Sequence, residues 1–275
     1  MRVRIWSLNG ARYAGPSPEC EAAPLRWLRG LAQLPGALPD VLCLQDFRVS
    51  LLAELRAFPY FCFVPMTNGW HFGRRELLGV CIASRWPLSA TETAVTWGDG
   101  KVRDLEGVDD RNERAGDLTE SDRLVLSTHN RVVVAATAQI PGWTGGFRVA
   151  THHGFWTRDG ATEEAQLEST RRAASFLTRQ GREHRGVVYL ADINPDKAGR
   201  VRAIYQDSGG QDFLPGSVRT TLASDHPAAA LGIRSDCVMA WPGEEGMLSF
   251  SSVQVEVGDD PGSDHLLLQA TFESE

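Results

Sequence analysis

The sequence predicts an α/β fold. The chain opens with a strand pattern, an amphipathic helix and a second strand, the order of a β-α-β unit. The same helix-to-strand step recurs at 161–180 and 187–191. Five apolar strands also end on an acid, an amide or an imidazole, and strand ends in α/β folds open onto loops that carry function.

Residues 2–8 alternate as Arg2-Val3-Arg4-Ile5-Trp6-Ser7-Leu8 and stop at Asn9-Gly10. In 20–34, Leu25, Leu28, Leu31 and Ala32 share a helical face, and Pro35 and Pro39 end the helix. A buried-type strand follows at 40–44, then a short helix at 49–57 and a strand at 60–64. Strands at 77–83 and 90–97 join through a turn at Pro87. Residues 98–120 are polar and read as a surface loop. The segments 123–128 and 131–140 read as a hairpin around His129-Asn130, and 147–151 as the next strand. Helix 161–180 has Thr162 as candidate N-cap, Glu163 and Glu164 in its first turn, and Arg179 and Arg182 near its end. Strand 187–191, a helix at 197–205 and late strands at 236–240, 248–255 and 265–272 complete the chain.

A length of 275 residues, 42% of them hydrophobic, suits one large α/β domain, and no linker-like tract divides it. Residues 1–275 are therefore expected to form a single domain. No apolar run approaches a membrane span of about 20 residues, and the N-terminus reads as a strand rather than a leader. Cys20, Cys43, Cys62, Cys81 and Cys237 are odd in number and scattered, without zinc spacing. A reducing, cytoplasmic setting is the expectation. The net charge of −7 argues against a strongly electrostatic nucleic-acid binder but not against a nuclease, because a carboxylate metal site adds charge that its cation offsets. All basic residues but Lys101 and Lys197 are arginine, a bias that high-GC coding explains.

The strand-end residues come in a fixed order: Leu8-Asn9, Gln45-Asp46, Gly79-Val80-Cys81-Ile82-Ala83-Ser84-Arg85-Trp86-Pro87, Thr151-His152, Ala191-Asp192-Ile193-Asn194, Ser235-Asp236 and Ser263-Asp264-His265. Each motif alone is short and reads more readily as a turn. In this order the set resembles the endonuclease/exonuclease/phosphatase superfamily, the DNase I-like fold, over nearly the whole chain. The resemblance implies a four-layer α/β/β/α sandwich of two mixed sheets with helices outside. Two positions depart from the pattern. Asp46 stands where a metal-ligand Glu is usual, and Ala191 where a Gly is usual.

Asp46 is a hard oxygen donor of the kind Mg2+ or Mn2+ prefers, with Asn9 and Asp264 as neighbouring donors. Asp192 and Asn194, two apart on an extended segment, share a side. By resemblance, Asp192 is the base and Asn194 a positioning amide. The resemblance also puts His265 on the scissile phosphate with Asp236 on its other nitrogen, and His152 at the leaving group. Glu76 is either the acid that backs His152 or a solvated charge at a strand start. His153, adjacent to His152, must face the other way and reads as structural. A second Ser224-Asp225-His226, followed by Pro227, reads as a turn. Trp70, Arg74 and Arg75 mix aromatic and basic groups that could stack on bases and clamp phosphates; Trp143, Phe155, Trp156 and Arg158 are similar candidates. The expected function is divalent-metal-dependent phosphoester hydrolysis, with phosphodiesters of DNA favoured as substrate. A phosphatase or phosphodiesterase acting on a small phosphorylated molecule is the alternative. A binding protein on a degenerate site is a third reading, for which Asp46 is the only support. The sequence does not fix an oligomeric state.

Overall fold

The structure is a computed structural model. It describes residues 1–10, 23–33, 38–71, 74–104, 130–157, 160–226, 228–243, 250–258 and 261–274. Two six-stranded sheets lie face to face. The first contains β1 (Arg2–Asn9), β2 (Val41–Arg48), β3 (Tyr60–His71), β4 (Arg74–Ser84), β11 (Ser252–Val257) and β12 (Leu268–Glu273), in the order β11-β12-β1-β2-β4-β3. The second contains β5 (Leu88–Trp97), β6 (Arg131–Ala138), β7 (Phe147–His152), β8 (Gly186–Asp192), β9 (Gln211–Asp212) and β10 (Asp236–Pro242), in the order β5-β6-β7-β8-β10-β9. Helix α1 (Ala23–Leu31) covers the first sheet; α2 (Glu164–Glu183) and α3 (Arg200–Asp207) cover the second. This is the expected four-layer sandwich.

Each sheet has one parallel pair at its centre, β1–β2 in the first and β7–β8 in the second; its other pairs are antiparallel. Parallel neighbours end at the same edge. The carboxyl ends of β1 and β2 therefore open together, as do those of β7 and β8, at the place where open α/β sheets hold ligands.

Period-two alternation sorts the side chains into three cores. Val3, Ile5, Val41, Cys43, Val149, Val188, Leu190 and Val238 point inward and fill the space between the sheets. Ala150, Tyr189, Ala191, Cys237 and Met239 point outward against Leu167, Ala173 and Leu177 of α2. Leu8, Leu42, Leu44 and Cys81 point outward against Leu28 and Leu31 of α1. Cys43, Cys81 and Cys237 are free thiols buried in these layers, as expected of small hydrophobes, and Cys62 is half-buried. Among the described residues no helix is long and apolar enough to cross a membrane.

Some elements differ from expectation. Residues 49–57 form a short 3-10 helix, Val49–Glu54, rather than an α-helix. β3 and β4 run well beyond the predicted strands as one long hairpin, with a bulge between Pro65 and Thr67. Gly79 faces that bulge, where a Cβ would stand 2.0 Å from Val64 O, so no larger residue fits. Helix α2 is capped by Glu163 without a side-chain bond, because the Thr162 hydroxyl donates to Asp196 instead. The predicted strand at 123–128 lies outside the described residues.

Outside the second sheet, Arg148 is buried and reaches Glu92 Oε1 at 3.0 Å and Gln180 Oε1 at 2.9 Å. Arg179, Gln180 and His184 also converge on Glu92, at 2.9, 2.9 and 3.0 Å. Burial pushes the Glu92 carboxyl up, but these donors and the Arg148 charge outweigh it and hold it at about 2. A carboxylate depressed on folding contributes stability that is present above its unfolded value, about 4.3, and lost as pH falls towards 2. Because Glu92 is one-third exposed, solvent screening leaves this on the order of 1 kcal/mol. Glu92→Gln also strips Arg148 of its carboxylate. The substitution should cost about 2 kcal/mol at pH 7, read as a lower urea midpoint, with the gap to wild type closing between pH 4.3 and 2. An unchanged midpoint at pH 7 would show that Arg148 does not need the charge.

Candidate active site

The inward-facing register that fills the core continues to the strand ends, and there the residues turn polar. On β1 it runs from Val3 and Ile5 to Ser7 and Asn9; on β2 from Val41 and Cys43 to Gln45. On β8 it runs from Val188 and Leu190 to Asp192, and on β10 it begins at Asp236 before Val238. These groups line one edge of the seam between the sheets. Hydrogen bonds stitch that edge: Gln45 Nε2 donates to Ser7 Oγ at 3.1 Å and, across the seam, to Thr151 Oγ1 at 2.8 Å. Asn9 Nδ2 crosses to Asp192 Oδ2 at 2.8 Å.

Asp192 is the hub. It is 1% exposed. Its Oδ1 accepts the Asn194 backbone N–H at 2.9 Å, and the Asn194 side-chain amide lies 3.4 Å from Oδ2 and donates to Gly154 O at 3.2 Å. Asn194 has a φ of 45°, a left-handed conformation that Asn tolerates. Gly154 N donates to Asp192 O at 2.8 Å. A Cβ on Gly154 would stand 2.5 Å from Ile193 O, so only glycine permits the approach.

His265 stands just ahead of β12. Its Nδ1 is 2.9 Å from Asp236 Oδ2 and its Nε2 is 3.7 Å from Asp192 Oδ2. Burial alone lowers its pKa, but the Asp236 charge, then that of Asp192, outweighs burial and raises it to about 10. The imidazole is therefore a cation at neutral pH and its Nε2–H faces the seam. Ser263 fixes the approach: its hydroxyl donates to Asn9 O at 2.6 Å and accepts the His265 N–H at 3.2 Å. Asp264, half-buried, places Oδ1 3.3 Å from Ser263 Oγ. The Asp192, Asp236 and His265 donor atoms lie within 4.8 Å of one another. The second Ser-Asp-His is a turn, as expected, with His226 Nδ1 accepting the Ala228 N–H at 3.0 Å.

The two adjacent histidines are reversed with respect to expectation. On β7, Phe147, Val149 and Thr151 face the other sheet, whereas Arg148, Ala150 and His152 face α2. His152 is buried under the sheet, with Thr96 Oγ1 3.0 Å from Nε2 and Tyr189 OH 3.3 Å from Nδ1. Burial, followed by the Arg131 and His153 charges, pushes its pKa well below 6.5, so it is neutral. His153 is the residue on the site's face. Its Nδ1 lies 2.9 Å from Asp46 Oδ1 and its Nε2 3.5 Å from Asp192 Oδ2. Glu76 does not back His152; it accepts the Ser50 hydroxyl at 2.6 Å on the exposed part of β4.

Asp46 follows Gln45 at the bulge of β2, with a φ of 50° that turns its carboxylate out of the strand register and towards His153. Arg75, on the β3–β4 hairpin, pairs with Asp104. The side chains of Trp70 and Arg74 lie outside the described residues, as does Arg158. Phe155 packs edge-on against Trp97, centroids 5.2 Å apart, and Trp156, three residues beyond His153, is 47% exposed. Trp143, half-buried, packs on Phe147 at the edge of the inter-sheet core.

No protein-family model matches the sequence, and a search of curated proteins finds no match. Solved structures do match. An endonuclease/exonuclease/phosphatase from Beutenbergia cavernae is 16% identical with a TM-score of 0.64, covering 99% of this chain and 71% of that one. Sphingomyelinase C from Streptomyces griseocarneus is 16% identical with a TM-score of 0.63, covering 100% of both chains. D. rerio TDP2, complexed with single strand DNA product, is 15% identical with a TM-score of 0.61, covering 99% of each. The chain therefore has the DNase I-like fold of the endonuclease/exonuclease/phosphatase superfamily.

Proposed function

We propose that residues 1–275 form one domain that hydrolyses phosphoesters with the help of a divalent cation, and that its substrate is a phosphodiester of DNA. The observation that carries this reading is the setting of Asp192: a buried carboxylate oriented by Asn9 and Asn194, with the charged edge of His265 3.7 Å away. Water activation needs an oriented base, and charge on a phosphoryl group needs a nearby fixed donor. One cluster offers both.

The residues at the Asp46 corner fit a divalent cation. Asp46 supplies a partly exposed carboxylate, and the neighbouring Gln45 Oε1 is buried with no hydrogen-bond partner. Asp46 would hold the ion, with Asp264 as a second oxygen donor. Asn9 turns its amide nitrogen to Asp192, which suits orienting the base. A bound Mg2+ or Mn2+ would supply Lewis-acid stabilisation of phosphoryl charge. Asp192 takes the proton of the attacking water, Asn194 holds that carboxylate in line, and His265 Nε2–H donates to a phosphoryl or leaving oxygen. Asp236 keeps His265 charged.

Trp156 supports a nucleic-acid substrate, since an exposed aromatic three residues beyond His153 can stack on a base. The DNA product bound to a chain of the same fold agrees with this. The net charge of −7 favours the second reading, a small phosphorylated molecule. The test is a panel with Mg2+ or Mn2+ on plasmid DNA, single-stranded DNA, RNA, bis-p-nitrophenyl phosphate and p-nitrophenyl phosphate. DNA cleavage that EDTA abolishes, and that falls at least tenfold in Asp46→Ala, is expected. Monoester turnover without nicking would replace DNA by a small phosphorylated substrate. Inactivity throughout, with no cation bound, would leave a degenerate binding protein.

A further inference from the structure

The geometry points to His153 as a nitrogen ligand of the cation, which makes the site selective for Mn2+ over Mg2+. This rests on the phosphoesterase reading above and deepens it. His153 is 8% exposed, and its Nδ1 is buried with no hydrogen-bond partner, although Asp46 Oδ1 is only 2.9 Å away. The two atoms are close without the alignment of a hydrogen bond. A buried ring nitrogen left without an aligned partner costs about 1–3 kcal/mol, which a cation held between the ring and the carboxylate would offset. Two ligands about 2.1 Å from a common ion, at a right angle, stand about 3 Å apart. The observed 2.9 Å separation is that of neighbouring corners of an octahedron.

The backbone supports the same conclusion. Asp46 is in the left-handed region, and this sets its short carboxylate beside the ring. Gly154 follows His153 and lets the chain pack down on Ile193, which fixes the ring between Asp46 and Asp192. Gln45 Oε1, on the residue before Asp46, is a second buried acceptor with no partner. An imidazole changes the preference of a site otherwise made of oxygens. Mg2+ takes oxygen ligands and retains its water, whereas imidazole nitrogen suits later divalent ions, of which Mn2+ is the weakest-binding member. The shorter acid at 46 is then no defect, because His153 completes the ligand set.

The test uses the intact wild-type chain and MnCl2 alone. Electron-spin-echo measurements on the bound Mn2+ should show coupling to an imidazole 14N. Mg2+ should displace the Mn2+ only at more than tenfold excess over equal affinity. In His153→Ala the 14N coupling should vanish and the two affinities should converge to within about threefold. His153→Gln, which keeps the shape and offers oxygen, should bind Mn2+ without the coupling. Mn2+ bound to wild type without nitrogen coupling, or coupling that persists in both variants, would overturn the inference and leave the phosphoesterase reading standing. No Mn2+ binding to wild type would overturn the inference, and no binding of Mg2+ either would overturn both.

Discussion

Asp192→Asn should lower kcat about 10²–10⁴-fold, the range that a general base contributes. The replacement is nearly isosteric and keeps an acceptor for the Asn194 N–H. It removes the charge and the basicity that take up the proton of water. Asn9 Nδ2 then faces an amide whose orientation must satisfy both Asn9 and Asn194, so some local repacking adds to the loss. Because proton transfer belongs to the transition state, kcat and kcat/KM should fall together while KM changes little. Steady-state kinetics on the substrate identified by the panel, with cation binding measured in parallel, provide the check. Near-wild-type kcat with the cation bound would mean that Asp192 is not the base.

The second large effect is expected at His265. His265→Ala should reduce kcat about 10²–10³-fold, the usual loss when one fixed donor to a developing oxyanion is removed. The structure adds a pH signature. His265 is held charged to about 10, with Asp236 the main group opposing its burial. Wild type should therefore keep the donor through neutral pH and lose it only as pH rises towards 10. Asp236→Asn removes that support, so the alkaline limb of the rate profile should move to lower pH while the acid limb stays. If the alkaline limb stays in place in Asp236→Asn, the pair does not act as a charged donor.

Much of this site could be read in the sequence, because strand ends are local events. An apolar run, a polar terminus and a turn residue sit together in the chain, so Asn9, Asp46, Asp192, Asn194 and Asp236 could be located before any pairing was known. The contact between His265 and Asp236 joins two residues 29 apart in the chain, and the ordered motifs, not spacing, point to it. Strand parity in the sequence separates His152 from His153. Val149 belongs between the sheets, so parity assigns Thr151 and His153 to the same side. The motif Thr151-His152 points to the other neighbour. The seam contact between Gln45 and Thr151 was not legible, because it depends on how two sheets dock. The 3-10 turn at Val49–Glu54 has the same origin: apolar periodicity over six residues does not separate a tight helix from an α-helix.

The seam has a further consequence. One sheet supplies Asn9, Gln45 and Asp46; the other supplies Thr151, His153, Asp192 and Asp236. Neither half holds a working set, so the site measures the alignment of the two sheets as an interferometer measures the offset of its mirrors. A substitution between the sheets, at Ile5 or Val149 for instance, can slide one layer by a fraction of an ångström and leave every strand intact. Hydrogen bonds across the joint, such as Asn9 to Asp192, are lost at displacements that the apolar filling absorbs. On heating, the cluster should therefore come apart before the sheets melt.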